Sequence, residues 1–388
     1  MNISKVFIDE VITWRQQFHR FPEIGFQEIQ TSKRIADLLR SFGLDVLEGI
    51  AGTGVVATLE NGSGPVIGLR ADMDALPFTE LADIPHKSCH HGTMHACGHD
   101  GHTAILLGAA KYLSEHRNFH GKVHFVFQPA EEGLGGATKM LEEGLLDQFP
   151  MSAIYGLHNW PGLPAGHIAV NPGAMMASMD TFEIQLEGKS CHAAMPELGF
   201  DPIVAAAQLI LSIQTISSRR LAAQDSAVLS ITQIQGGEAI NIIPEYVTIK
   251  GTFRCLDPQV RQQVKQLLQD QVEALPPVHG VKGSIQFFSG YPVTMNHTDA
   301  AITIRDVAQK LFGDSKVHWN IKPSMASEDF SYFLEKCSGA YFWLGVDGVE
   351  PSKPLHNAYY DFNDNVIETG IKFWIGLVET TLSKQSSK

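Results

Sequence analysis

Between His86 and His102 the chain reads HKSCHHGTMHACGHDGH, which places six of its seventeen histidines, two cysteines and Asp100 in one short run. That density restricts what the segment can become. Imidazoles buried without partners cost free energy, so a core helix or strand would not concentrate them. The run follows an apolar stretch at 65–71, which reads as a strand, and precedes an alanine- and leucine-rich segment that predicts a helix over 103–114. A dense set of nitrogen and sulfur donors in a loop above a sheet points to a metal site. A histidine-rich surface loop without chemical role is the plain alternative.

The segments around the run alternate in type. Helical periodicity over 4–20 and 27–42 is broken at Phe21-Pro22 and closed by Gly43. Strands are predicted at 54–59 and 66–69 across an NGSG turn, at 122–128 (KVHFVFQ, ending in PAEEG) and at 153–157 (ending in HNWP), with a helix running to residue 146 between the last two. This order predicts an α/β fold, a mostly parallel mixed sheet with helices on both faces. Ligands of such sheets bind beyond the carboxyl ends of the strands. Asp72, Asp74, Cys97, His99, Glu131, Glu132 and His158 all fall on segments that reach that edge.

From residue 179 the pattern changes to strand, helix, strand, strand, helix, strand (181–186, 202–219, 227–235, 247–254, 258–274 and 281–288), the ferredoxin-like split motif. The expected organisation is therefore a discontinuous catalytic domain, 1–177 with 290–388, and an inserted ferredoxin-like domain, 178–289. Two helices would cover one face of the inserted sheet and leave an edge or open face for dimerisation. The first domain resumes with a helix at 299–312, a strand at 341–346, His356 in a proline-bounded loop, a helix at 365–382 and a disordered tail at 383–388.

Composition excludes several classes. A formal charge of −13, with no basic stripe, argues against a nucleic-acid partner. Hydrophobic content of 44% with 18% charged residues describes a globular chain. The longest uncharged stretch, 202–218, carries glutamines and serines and reads as a packed amphipathic helix, so no membrane span is expected. Five scattered cysteines without a CxxC pair fit a reducing compartment, and the N-terminus lacks the apolar core of a signal peptide, so a cytoplasmic location is expected.

The paired carboxylates Glu131-Glu132 suit metal-assisted hydrolysis, in which one holds a cation and its neighbour accepts a proton from water. The same pair could be a solvated acidic helix start. Cys97-Gly98-His99 offers a thiolate and an imidazole around a flexible glycine, and a nucleophilic cysteine is the competing functional reading. His158 and His356 stand alone in sequence, beside asparagine and aromatic residues.

At these residues the chain resembles the peptidase family M20 amidohydrolases, in the branch of hippurate hydrolases, N-acyl-amino-acid deacetylases and plant auxin-conjugate hydrolases. The motifs run in order along almost the whole chain: HRFPEIGFQE (19–28), GLRADMDALP (68–77), MHACGHDGHTA (94–104), FQPAEEG (127–133), GLHNWPG (156–162), GKSCHAAMP (188–196), GGEAINIIPE (236–245), GTFR (251–254), MASEDF (325–330) and LHNAYYDFND (355–364). Cys191 departs from a commoner glycine. The resemblance implies two divalent ions, held by Cys97, His99, Glu132, His158 and His356, with Cys97 as a bridging thiolate. Thiolate and imidazoles suit zinc, while carboxylates also admit manganese, cobalt or nickel. It further implies Glu131 as general base, Asp74 as the residue orienting a ligand histidine, and His192 as an oxyanion donor reaching the partner subunit of a homodimer. Asn241 and Arg254 would hold the carboxylate of an N-acyl amino acid. A dipeptidase or aminopeptidase of the same fold, and a metal-binding scaffold without catalysis, are the alternatives.

Overall fold

A computed structural model describes residues 3–383; the remainder of the expected tail, 384–388, lies outside them. The chain divides into two compact units. One comprises Met1–Met175, Met295–Lys322 and Asp329–Lys388, the other Met176–Thr294 and Pro323–Glu328.

The first unit is built on an eight-stranded sheet in the order Asp45–Ile50, Gly54–Asn61, Gly121–Gln128, Val66–Asp72, Ala153–Pro164, Gly339–Asp347, Ile168–Val170, Val317–Trp319. Four of its seven neighbouring pairs are parallel, including all those at the centre. Alternation along these strands sorts the side chains by face. Ile67, Leu69, Ala71, Val123, Phe125, Phe127, Phe342 and Leu344 share one core with helices Lys5–Arg20, Ile29–Ser41, His99–Glu115, Thr298–Phe312 and Ile367–Thr381. Gly68, Arg70 and Asp72 turn to the opposite face, toward Phe330, Gln128 and the short helices Gly136–Glu142 and Ser331–Lys336. Register sets Asp72 beside Gln128 and Arg70 beside Gly156, so the parallel strands end at one edge.

The second unit is a four-stranded antiparallel sheet, Ala227–Gly236, Tyr246–Cys255, Asp180–Glu187, Lys282–Ser289, covered by Pro202–Ile213 and Pro258–Ala274. Both helices open with Asp as N-cap and Pro in the first turn, Asp201 accepting from Ile203 N–H and Asp257 from Gln259 and Val260 N–H. Phe182, Ile184, Leu186, Val247, Ile249 and Phe253 pack under Leu209, Val264 and Leu268. The other face carries Lys250, paired to Glu183 at 2.8 Å, beside exposed Val228, Tyr246 and Phe288. This strand order is that of a ferredoxin-like fold.

Four expectations need correction. The helix after the histidine run begins at His99, not 103, so His99, Asp100 and His102 are buried helical residues and not loop residues. The strand from Ala153 continues to Pro164, which puts His158 within it. The region read as one helix to 146 is three short ones, because Gly133, Gly135 and Gly144 take positive φ (79°, 74° and 83°). The helix from Pro202 ends at Ile213 and gives way to a π-helical turn, Ile216–Arg220.

Candidate metal centre

Five separate segments converge at the carboxyl edge of the first unit's sheet. Cys97 precedes the His99–Glu115 helix across Gly98, whose φ of 87° closes the turn. A side chain at Gly98 would collide with the Asn159 carboxamide. Gly98→Ala is therefore expected to cost about 1–3 kcal/mol, from left-handed backbone strain plus the clash. A thermal melt and metal content per chain check it; a wild-type melting point with full metal would contradict it.

Glu131 and Glu132 follow Ala130, which holds φ at 54°. That strained turn is fixed by Glu28, whose carboxylate accepts Ala130 N–H at 2.8 Å and the Thr53 hydroxyl at 2.6 Å. Burial lifts the Glu28 carboxyl to about 7 against the pull of these bonds. His158 comes from the central strand and His356 from a loop residue at φ 59°.

The donor atoms cluster. Those of Cys97, His99 and His158 lie within 4.8 Å of one another, as do those of Cys97, Glu132 and His356, and those of His99, Glu131 and Glu132. Cys97 Sγ is 3.4 Å from His158 Nε2, and His356 Nε2 is 3.2 Å from Glu132 Oε1. Asp74 links two members: His99 Nδ1 donates to its carbonyl (2.9 Å) and carboxylate (3.2 Å), while Glu132 N–H donates to Oδ2 at 3.0 Å. With Nδ1 so engaged, His99 leaves Nε2 3.8 Å from Asp72 Oδ2 and 4.0 Å from Glu132 Oε1. His158 Nδ1 likewise donates to Asn159 O at 2.7 Å, leaving Nε2 toward the thiol.

His99 Nε2 is buried with no hydrogen-bond partner among the described residues, and Glu132 Oε1, despite its nearness to His356, is outside hydrogen-bonding geometry. Orphaned buried polar atoms in a set of thiol, imidazole and carboxylate are what a bound cation would satisfy, and the residues fit a divalent metal.

The electrostatics agree. Burial pushes the Cys97 thiol well up, and Glu132, Glu131 and Asp72 push it further. Burial alone would lower His99, but Asp72, Asp74 and Glu132 outweigh it and hold the ring at about 10. His158, with burial first and His102 second, is held well below the ordinary histidine range and stays neutral, the form that binds metal.

A layer behind these donors was not legible from sequence. His102 Nδ1 meets Asp72 Oδ1 and its Nε2 meets Asn159 Oδ1, both at 2.5 Å, and Asn159 donates onward to the Tyr360 hydroxyl at 2.6 Å. The i, i+3 spacing of His99 and His102 on one helix face was the signal available. Asp100 accepts from His19 Nδ1 (2.8 Å) and Arg15 Nη1 (3.4 Å), tying the helix start to the N-terminal helix.

His192, Asn241 and Arg254 belong to the second unit. Strand pairing sets His192 beside Ile242, and Ala193 N–H donates to Asn241 O at 2.9 Å. Ala194 N–H donates to His192 Nδ1 at 3.0 Å, which makes that nitrogen the acceptor and leaves Nε2 to carry the proton. Arg254, on the Tyr246–Cys255 strand, donates to Met325 O at 2.9 Å.

Known proteins share this framework. The chain is 43% identical to the hippurate hydrolase of Campylobacter jejuni over 94% of each chain, and 42% identical to the N-acetyl-L-cysteine deacetylase of Bacillus subtilis over 87% of this chain and 81% of that one. A solved dinuclear metal-binding peptidase of the M20 family from Bacillus subtilis superposes with a TM-score of 0.87 at 34% identity, covering 98% of this chain and 100% of that one. Residues 68–380 match the pattern of peptidase family M20/M25/M40, and with relatives this similar along nearly its whole length, the chain belongs to that family.

Proposed function

We propose that the protein is a metal-dependent amidohydrolase that cleaves the amide of N-acyl amino acids, acetyl or aroyl, to a carboxylic acid and a free amino acid. The observation that carries the reading is the buried, unpartnered His99 Nε2 facing Glu132 within a thiol–imidazole–carboxylate set. Cys97, His99, Glu132, His158 and His356 would hold two divalent ions; zinc or manganese suits these donors, and cobalt or nickel is admissible. Bound there, the ions supply Lewis acidity that polarises the acyl carbonyl and lowers the pKa of water.

The chain's own residues do the rest. Glu131 accepts the proton of the attacking water and passes it to the leaving nitrogen. Asp74 keeps His99 in the tautomer that presents Nε2. His192, with its proton on Nε2, donates to the oxyanion, and the planar fork of Arg254, with Asn241, receives the substrate carboxylate. Metal removal tests this. Chelation should abolish hydrolysis of hippurate and N-acetylcysteine, Mn²⁺ or Zn²⁺ should restore it, and unblocked dipeptides should be poor substrates. Chelator-insensitive turnover, or faster turnover of dipeptides, would overturn it.

The second unit supports a homodimer. Its edge strand Ala227–Gly236 exposes Val228 and Ile234, and the Pro202–Ile213 helix exposes Val204 and Leu211, the last at 73%. Five unpaired cysteines support a reducing, cytoplasmic setting, and no described helix is long and apolar enough to cross a membrane.

A further inference from the structure

His356 is the donor of the centre that its own segment supports least. It lies in a stretch, 355–363, with neither helix nor strand, its backbone holds φ at 59°, and its side chain is 55% exposed, whereas Cys97, His99 and His158 are buried. Left-handed backbone at a residue other than glycine persists only where the surroundings over-determine it. His356 N–H donates to Ala96 O at 2.8 Å, and the rest of the loop is held from its far end.

That hold comes from Arg15, fully buried on the helix Lys5–Arg20. Its guanidinium forks onto Asp364, Nε donating to Oδ1 at 2.8 Å and Nη2 to Oδ2 at 2.9 Å. Nη1 donates to Asp361 Oδ1 at 2.7 Å and, at 3.4 Å, to Asp100 Oδ2. Asp361 and Asp364 close the His356 loop, and Asp100 follows His99 in the first turn of its helix. One buried cation therefore grips the segments that present His356 and His99. The two grips are unequal. Asp100 also meets His19 Nδ1 at 2.8 Å, whose Nε2 lies 3.2 Å from Glu80 Oε1, so the helix start stays anchored without Arg15. Without the fork, Asp364 would keep Gln16 Nε2 at 2.9 Å, and Asp361 would keep His86 Nε2 at 3.0 Å.

The metal-competent donors form two groups that share the thiol: Cys97, His99 and His158 in one, Cys97, Glu132 and His356 in the other. We infer that Arg15 is a positioning residue for the ion of the second group. By clamping Asp361 and Asp364 it orders the loop that presents His356 before metal arrives, so less freedom is lost on binding, and it leaves the first group nearly untouched. This role rests on the metal-dependent reading proposed above.

Calorimetric titration of the metal-stripped full chain with Mn²⁺ tests it. The wild type should take up two ions. Arg15→Met should keep one near wild-type affinity and bind the other about 10–100-fold more weakly, the loss usual when partners that orient metal ligands are removed. Arg15→Lys, which keeps the charge without the planar fork, should fall between them. Hippurate turnover by Arg15→Met should recover toward wild type as Mn²⁺ is raised, which a purely structural defect would not allow. Should Arg15→Met fail to fold, Asp364→Asn, at a side chain 23% exposed, carries the same test and should weaken the same ion about 3–10-fold. Wild-type affinity for both ions in these variants, or equal weakening of both, would overturn the inference. A wild-type chain that takes up no metal would overturn the metal-centre reading itself, and this role with it.

Discussion

Replacing Glu131 with Gln is expected to lower amide hydrolysis by about 10²–10⁴-fold, the range that general acid–base catalysis supplies, with metal content unchanged. Gln preserves volume and hydrogen-bonding reach but cannot take a proton from water. Glu131 is well placed for this task because its neighbours fix it. It is buried, it accepts Asp329 N–H at 3.4 Å, and it follows the Ala130 turn that Glu28 holds. Its carboxylate lies within 4.8 Å of donor atoms of His99 and Glu132, close enough to reach a water at the centre. Hippurate turnover and metal per chain, measured on one preparation, decide the matter. Unchanged turnover would remove Glu131 from the mechanism, and joint loss of turnover and metal would make it a ligand and not a base.

The supports of Glu131 also show where sequence reasoning ran out. Period-two strands at 122–128 and in the inserted unit were readable because alternation reports burial directly. The start of the His99–Glu115 helix was not. Apolar periodicity begins only at Ala104, and Gly98 offers no capping side chain, so the first turn reads as loop. His99 and His102 can be buried there because Asp72 and Asp74 bond to them, and a local pattern carries no information about that partnership. Glu28 sits 102 residues from the backbone N–H it accepts, and Arg70 sits 259 residues from Asp329. The strand through His158 was cut short because Pro161 and Gly162 look like breakers, yet pairing with Gly339–Asp347 carries it past them. Contacts of this kind are set by register and topology, and only the elements themselves are visible in one chain read alone.

Arg70 gives the largest expected effect on stability. Its guanidinium is fully buried, with Nη1 donating to Asp72 Oδ2 at 2.7 Å, Nη2 to Asp329 Oδ1 at 3.2 Å and Nε to Gln128 Oε1 at 2.7 Å. The Gln128 carboxamide and Ala137 N–H also donate to Asp329. Burial works to raise the Asp72 carboxyl, but His99, Arg70 and His102 outweigh it and hold it well below the ordinary range. Met in place of Arg70 would fill much of the volume and leave Asp72 and Asp329 buried against reduced positive charge. Breaking a buried pair from one side costs about 3–5 kcal/mol, a large part of the roughly 5–15 kcal/mol that holds a typical domain folded. Arg70→Met should therefore move the urea midpoint sharply downward. Adding Asp329→Asn should recover part of the loss, because it removes one of the stranded charges, so the double variant should be more stable than the sum of the single losses predicts. A loss below about 1 kcal/mol for Arg70→Met, or strict additivity with Asp329→Asn, would mean that packing and not charge compensation holds this face together.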